Sequence, residues 1–174
     1  MRPAVLKVNL VGDREATTRT SNGRSKGLPV PPELLAAPGY VARRLHQAYV
    51  AAWVRLVDPV LTGPQFAVLT AVNAYPGVEQ GSLASSVALD RSTMASIVGR
   101  LEERGLITRE RPAEDGRKRL LFLTEQGAAA FAATDRKARE LDVLLMQGHD
   151  PDEQEALLRR LTALSERWES LTDD

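Results

Sequence analysis

Residues 80–124 read QGSLASSVALDRSTMASIVGRLEERGLITRERPAEDGRKRLLFLT, and this stretch decides the fold. It contains a short helical pattern, a second helical pattern that begins after Asp90, and two apolar strand patterns separated by a turn that contains Gly116. Two short helices joined by a tight turn are typical of a helix-turn-helix, and the two strands predict a hairpin, or wing. The stretch therefore predicts a winged helix-turn-helix.

The second helix of this stretch has two different faces. One face is apolar and is expected to pack inward through Met94, Ile97, Val98 and Leu101. The other carries small hydroxyl residues and an arginine, which suit entry into the major groove of DNA. We predict that this face binds DNA through Ser92, Thr93, Ser96 and Arg100. The alternative is an ordinary surface helix, since Ser and Thr are common on exposed helices.

The hairpin after this helix concentrates positive charge. Five basic residues fall within eleven positions, namely Arg109, Arg111, Arg117, Lys118 and Arg119. A guanidinium near the tip of a wing suits the narrow, electronegative minor groove of DNA. We therefore predict that the tip contacts DNA through Arg117, Lys118 and Arg119. The alternative is a solvated hairpin whose charges only keep it in water.

The rest of the chain divides into segments of different composition. Residues 1–32 are rich in Thr, Ser, Gly, Arg and Pro, and we predict a basic, disordered arm. We expect an N-terminal dimerisation helix in residues 33–61, the winged domain in 62–127 and C-terminal dimerisation helices in 128–174. The predicted fold class is mainly α with a small β-wing.

The dimerisation prediction rests on apolar stripes at the two ends of the chain. The N-terminal helix has a stripe of Val41, Leu45, Ala48, Ala52 and Leu56. The last helix has apolar residues that alternate by four and three, namely Leu157, Leu161, Leu164, Trp168 and Leu171. The last stripe could pack on the N-terminal helix of its own chain. The two stripes together exceed what one winged domain of this size can cover, which favours a homodimer.

Composition excludes several other classes of protein. The chain has 174 residues, 23 basic and 23 acidic side chains, and no cysteine. A disulfide framework and a thiolate metal site are therefore excluded, and the two histidines, His46 and His149, are isolated. No apolar run reaches the roughly 20 residues that span a bilayer. We expect a cytoplasmic protein with no metal, no cofactor and no membrane partner.

Three segments in this order resemble the multiple antibiotic resistance regulator (MarR) family of bacterial winged-helix transcription factors. They are LTGPQFAVL, SLASSVALDRSTMASIVGRLEERGLITRE and DGRKRLLFLTEQG, and the resemblance covers about residues 38–172. It implies a homodimer that binds palindromic double-stranded DNA. It also implies that Asp115 holds the wing tip while Arg117 enters the minor groove, and that Arg91 joins the DNA-binding residues of the second helix.

The resemblance further implies a repressor that a small aromatic or phenolic ligand releases from DNA. Such a ligand would bind between the dimerisation helices and the winged domain. The candidate ligand-binding residues on the N-terminal helix are His46, Tyr49, Trp53 and Arg55, with Tyr75 as a further candidate. For Trp53, packing in the core or in an interface is the simpler interpretation.

Two other classes of function remain as alternatives. A winged-helix module without specific DNA binding could use the Leu157–Leu171 stripe to hold another protein. The basic wing tip argues against this alternative. An enzyme is not expected, because the sequence shows no nucleophile beside a base, no phosphate-binding glycine-rich loop and no paired metal-ligand motif.

Overall fold

A computed structural model of the protein describes residues 28–112 and 118–171. Within these ranges the chain is mainly helical and carries a small antiparallel sheet. The elements in chain order are α1 (Pro32–Leu35), α2 (Pro38–Leu56), α3 (Gly63–Ala74), β1 (Val78–Glu79), α4 (Gln80–Ser86), α5 (Arg91–Glu103), β2 (Ile107–Glu110), β3 (Leu120–Leu123), α6 (Glu125–Leu145) and α7 (Pro151–Glu169). This is the predicted fold class.

Polar side chains cap four of the helices, including Asp90 at the predicted start of α5. Thr62 and Gln65 form a reciprocal capping box at the start of α3, and Asp150 forms another at the start of α7. Asp90 caps α5, and Thr124 caps α6. These caps satisfy backbone N–H groups that have no partner within a helix, so they fix where each helix begins.

The sheet has one strand more than the sequence predicted. Strand β3 lies between β1 and β2, with Leu121 opposite both Val78 and Arg109. The left-handed backbone of Gly77 (φ +80°) turns the chain after α3, and its N–H donates to the carbonyl of Leu121 at 2.8 Å. Strand β1 has only two residues, which is too short to show an alternating pattern.

The core of the winged domain lies between α3, α4, α5 and the sheet. Its fully buried side chains come from all four of these elements and include Val68, Leu69, Val72, Leu83, Val98, Leu101 and Leu121. The predicted inward face of α5 is therefore confirmed. Because the apolar face of α5 is anchored in this core, its opposite face is held in one orientation toward solvent.

A second, smaller core joins α2 to α6. Trp53 is 4% exposed and packs with Val57, Ala138 and Leu141. The Trp53 indole Nε1 donates to the carbonyl of Leu61 at 2.7 Å, which satisfies its one polar group. Packing in the core, the simpler interpretation of Trp53, is thus confirmed, and the same indole also contributes to a cavity wall described below.

The apolar stripe predicted on α2 is divided, since Ala52 packs against this core and the larger residues of the stripe do not. Val41, Leu45 and Leu56 are about half exposed. Helix α7 buries no side chain, although Leu161 lines an apolar groove of about 530 Å³ against Leu45. Packing within one chain therefore leaves both stripes largely exposed. No helix in the described ranges is long and apolar enough to cross a membrane.

The start of α6 is held directly against the start of β2. The hydroxyl of Thr124 donates to the carbonyl of Gly105 at 2.6 Å and accepts from the N–H of Gly127 at 2.9 Å. The Thr124 N–H donates to the carbonyl of Leu106 at 3.1 Å. A Cβ atom on Gly127 would lie 1.8 Å from the Leu106 carbonyl oxygen, so no larger residue fits without backbone movement.

We expect Gly127→Ala to lower the free energy of unfolding by about 2–3 kcal/mol, the upper range for overpacking, because backbone and not a flexible side chain must move. Urea denaturation followed by circular dichroism measures this change. Gly99→Ala is the matched control, since a Cβ on Gly99 meets no atom within 4 Å. Because Gly99 lies in the middle of a helix, Gly99→Ala should raise the free energy of unfolding by about 1 kcal/mol. Equal effects of the two substitutions would contradict this account of the α6 junction.

Candidate DNA interface and adjoining cavity

The first turn of α5 is organised by Asp90. Its carboxylate accepts from the N–H groups of Ser92 and Thr93, each at 2.9 Å, and from their hydroxyls at 2.6 and 2.5 Å. Hydrogen bonds from the Ser92 and Thr93 hydroxyls are the main reason why the pKa of Asp90 lies well below its usual range. Since both hydroxyl protons are donated to Asp90, the two oxygens face any ligand as hydrogen-bond acceptors.

The outward face of α5 carries most of the predicted DNA-binding residues. Arg91, Ser92, Ser96 and Arg100 are exposed, and Thr93 is half-buried. Ser92, Thr93, Ser96 and Arg100 lie on the polar side of the helix, as the sequence predicted, away from its buried apolar residues. Arg91 lies apart from them, because it lines a small cavity with Met94 and with Ala84 of α4. Their contacts with DNA remain a prediction.

An ion pair connects α5 to the wing. The Arg109 guanidinium on β2 contacts the Glu102 carboxylate through both Nε and Nη2, and the Nε contact measures 2.8 Å. The hydrogen bond from Arg109 lowers the pKa of Glu102 and raises that of Arg109. Arg109 is one of the five basic residues of the predicted cluster, but its guanidinium forms a salt bridge with Glu102. The sequence pattern missed this pair, because the two residues meet only after the chain turns at Gly105.

Other predicted wing residues lie at the base of the hairpin. Arg111 and Lys118 are exposed. Arg119 is half-buried, and its Nη1 donates to the carbonyl of Lys118 at 3.0 Å. Asp115 and Arg117 lie outside the described residues. The described part of the wing thus offers positive charge beside α5.

Two adjoining cavities lie between α2 and the winged domain, with volumes of about 470 and 560 Å³. Both are lined by Tyr49, Trp53, Gly63, Ala67 and Val87. The smaller cavity reaches α6, and the larger one extends along the turn between α4 and α5. Each is large enough for a small organic molecule.

The predicted ligand-binding residues are only partly brought together. Tyr49 and Trp53 line both cavities. His46 lines the larger cavity and Tyr75 the smaller one. Arg55, by contrast, is exposed and is not among the residues that line either cavity. Arg55 follows Trp53 by two positions, so it projects from a different side of α2.

A row of aromatic rings runs from the cavities into the core. The ring centroids of Tyr49 and Trp53 are 6.0 Å apart, those of Trp53 and Phe66 are 5.4 Å apart, and Phe66 stacks on Phe131 at 5.7 Å. The row joins α2, α3 and α6, and it gives the cavities an aromatic wall. Sequence reasoning missed Phe66 as a cavity residue, because its helical position marked it only as core.

Metal-ligating side chains form no cluster of three or more in the part of the chain that the structure describes. The fold and the polar face of α5 define the class of this protein as a winged helix-turn-helix DNA-binding protein. Comparison with known proteins then gives the family.

Residues 61–118 match the MarR family. The chain is 34% identical over 117 residues to the transcriptional regulator HosA of Escherichia coli, which covers 67% of this chain and 86% of HosA. The protein belongs to the MarR family and is a DNA-binding transcriptional regulator, not an enzyme. This identification argues against a winged module that no longer binds DNA.

Three solved structures share the fold over most of their length. The PcaV regulator of Streptomyces coelicolor, in complex with its natural ligand, has a TM-score of 0.76 and 34% identity, covering 79% of this chain and 98% of PcaV. The transcriptional repressor CouR, bound to a 23-mer DNA duplex, has a TM-score of 0.72 and 30% identity, covering 80% and 99%. BpsR of Bordetella bronchiseptica, whose DNA binding is regulated by 6-hydroxynicotinic acid, has a TM-score of 0.66 and 28% identity, covering 73% and 97%.

The low pKa of Asp90 makes a pH-dependent contribution to stability. The pKa of its carboxyl is about 3.9 in the unfolded chain and lower in the folded protein. The stabilisation is therefore present above about pH 4 and is lost as the pH falls toward the folded pKa. Asn also caps helices but carries no charge. At pH 7 we expect the wild-type protein to have a higher melting temperature than Asp90→Asn. At pH 3 we expect the difference between the two melting temperatures to be smaller. Thermal denaturation at both pH values measures this difference. A margin that is independent of pH would contradict this role of the carboxylate.

Proposed function

We propose that this protein is a homodimeric repressor that binds a palindromic operator and leaves it when a small aromatic ligand binds. The observation that carries the proposal is the wall of the larger cavity. Val87, Ala88 and Leu89, which form the turn of the helix-turn-helix, line that wall directly before Asp90. CouR, a repressor solved on a DNA duplex, and BpsR, whose DNA binding responds to an aromatic acid, support the proposal by similarity.

In this proposal α5 enters the major groove. Its contacts to bases and phosphates come from Arg91, Ser92, Thr93, Ser96 and Arg100. The wing contributes minor-groove and phosphate contacts through Asp115, Arg117, Lys118 and Arg119. The regulator acts in the cytoplasm, where a bacterial operator is accessible.

The apolar stripes of α2 and α7 form the proposed dimer interface. Their exposed side chains include Leu45, Leu161, Leu164 and Trp168. Exposed apolar surface of this extent marks an interaction site, and a twofold axis would place the α5 helices of two chains on one side of the dimer. The operator then has two half-sites about 10 bp apart.

Coupling between ligand and DNA follows from the position of the turn. Ala88 holds a left-handed backbone (φ 52°), and the Leu89 N–H donates to the carbonyl of Ala84 at 2.9 Å. A ligand between α2 and this turn contacts the residues that set the direction of α5. If the ligand binds more tightly to one orientation of α5, it raises the population of that orientation. DNA that binds to the alternative orientation is then released.

The DNA-binding assignment predicts a large effect of Arg100→Ala combined with Arg117→Ala. Loss of a base contact costs about 1–3 kcal/mol, so operator binding should weaken by at least about tenfold while the dimer persists. Fluorescence anisotropy with upstream DNA fragments and random competitor DNA measures the affinity, and analytical ultracentrifugation measures the dimer. Arg136→Ala, an exposed arginine on α6, is the matched control. Unchanged operator affinity in the double variant would contradict the assignment of Arg100 and Arg117 as DNA contacts.

The ligand assignment predicts that filling the cavities removes the response. Ala67 lines both cavities, so Ala67→Phe should abolish ligand-induced release while operator affinity stays within about threefold. For wild type we expect a hydroxylated aromatic compound to weaken operator binding about 5- to 150-fold, the usual range of allosteric coupling. Ala129→Phe adds the same volume at an exposed position of α6 as a control. A full response in Ala67→Phe would place the ligand elsewhere.

A further inference from the structure

The charges around the two cavities narrow the class of ligand. Three ionisable residues besides Tyr49 and Tyr75 line them, namely His46, Asp58 and Asp142. In the described chain, neither set of lining residues includes a lysine or an arginine. A ligand carboxylate is usually bound by the fork of an arginine or by a lysine ammonium group. These cavities instead offer two carboxylates.

Of these carboxylates, Asp142 on α6 lines the smaller cavity, to which Tyr49, Trp53 and Phe66 all contribute. Burial, together with the negative charge of Asp142, raises the pKa of the Tyr49 hydroxyl, which places the two side chains within electrostatic reach. An aromatic ring held on this wall would therefore have a negative charge beside it.

The Asp142 carboxylate is also available to a ligand. In the described part of the chain its side chain has no hydrogen bond and no ion pair. Arg139 on the same helix attracts Asp142 electrostatically, but its Nε donates to Asp135 at 2.8 Å and it lines neither cavity. Asp58 differs, because its Oδ1 accepts from the N–H groups of Val60 and Leu61 at 2.7 Å each and so holds the loop after α2.

We propose that the smaller cavity selects an uncharged phenol and excludes an aromatic carboxylate, with Asp142 as the specificity-determining residue. The phenol ring packs on Tyr49, Trp53 and Phe66, and its hydroxyl donates to the Asp142 carboxylate. A charge-assisted hydrogen bond of this kind is stronger than one between neutral groups. A carboxylate in the same position is repelled by Asp142. This inference rests on the proposed ligand-released function, with Val87, which lines both cavities, as the contact to the turn before α5. It separates this protein from BpsR, whose regulator is a carboxylic acid.

An isosteric pair of compounds tests the inference on the full-length protein. 4-Hydroxybenzamide and 4-hydroxybenzoate have the same shape and differ in charge. Tryptophan emission and displacement of operator DNA give the affinity for each compound. We expect wild type to bind the amide about fivefold more tightly, because the carboxylate of 4-hydroxybenzoate lies across the ring from Asp142 and the repulsion between the two charges is worth about 1 kcal/mol.

The variant Asp142→Asn should remove the discrimination. We expect its affinity for 4-hydroxybenzoate to rise about fivefold, while its affinity for the amide falls only about twofold because the Asn carbonyl still accepts a hydrogen bond. Glu140→Gln is the matched control, since it makes the same charge change on an exposed face of α6 and lines neither cavity. It should leave the ratio of the two affinities unchanged.

The outcomes separate this inference from the function on which it rests. Tighter binding of 4-hydroxybenzoate to wild type, or an unchanged ratio in Asp142→Asn, overturns the inference and leaves ligand-released repression standing. If neither compound changes tryptophan emission or operator binding, while operator binding itself is intact, both the ligand-released function and the inference fail. Operator affinity of each variant, measured without compound, reports that the protein is folded.

Discussion

The winged domain depends on a backbone contact without an intervening side chain, where the first turn of α6 meets Leu106. Gly127 permits this approach, and the Thr124 hydroxyl holds it by bonding to Gly105 and to Gly127 at once. Gly105 is the left-handed residue that ends α5. One junction therefore fixes the end of α5, the start of the wing and the start of the helix that leads to α7.

Local signals made much of this fold predictable. Helix caps such as Thr62, Asp90 and Thr124 act within three or four residues, so the sequence alone shows them, and the two faces of α5 follow from the helical period. Strand β1 could not be predicted, because two residues carry no period and the strand exists only through its pairing with β3. The helical period of α2 did not show that Ala52 packs against the core while Leu45 stays exposed, because Trp53 and α6 orient the helix.

The candidate site was less predictable, because the partners of a side chain depend on tertiary packing. In the sequence Arg109 is one of several basic residues, whereas in the fold it forms a salt bridge with Glu102. Arg55 was a candidate ligand contact because it lies on the N-terminal helix, yet it lines neither cavity. No sequence pattern distinguishes Asp142 from the other acidic residues of the C-terminal segment. It lines the cavity with the aromatic wall only because α6 packs there. Charge counts describe a segment, whereas contacts decide which charges a partner meets.

The cap on α5 separates the stability of the helix from the surface that it presents. Asp90, Ser92 and Thr93 supply the hydrogen bonds of the first turn, and in the described part of the chain no hydrogen bond that holds α5 uses the side chain of Ser96 or Arg100. Descendants of this gene can therefore exchange those two residues with little penalty to folding. Duplicated copies could diverge toward new DNA sequences while keeping the same scaffold.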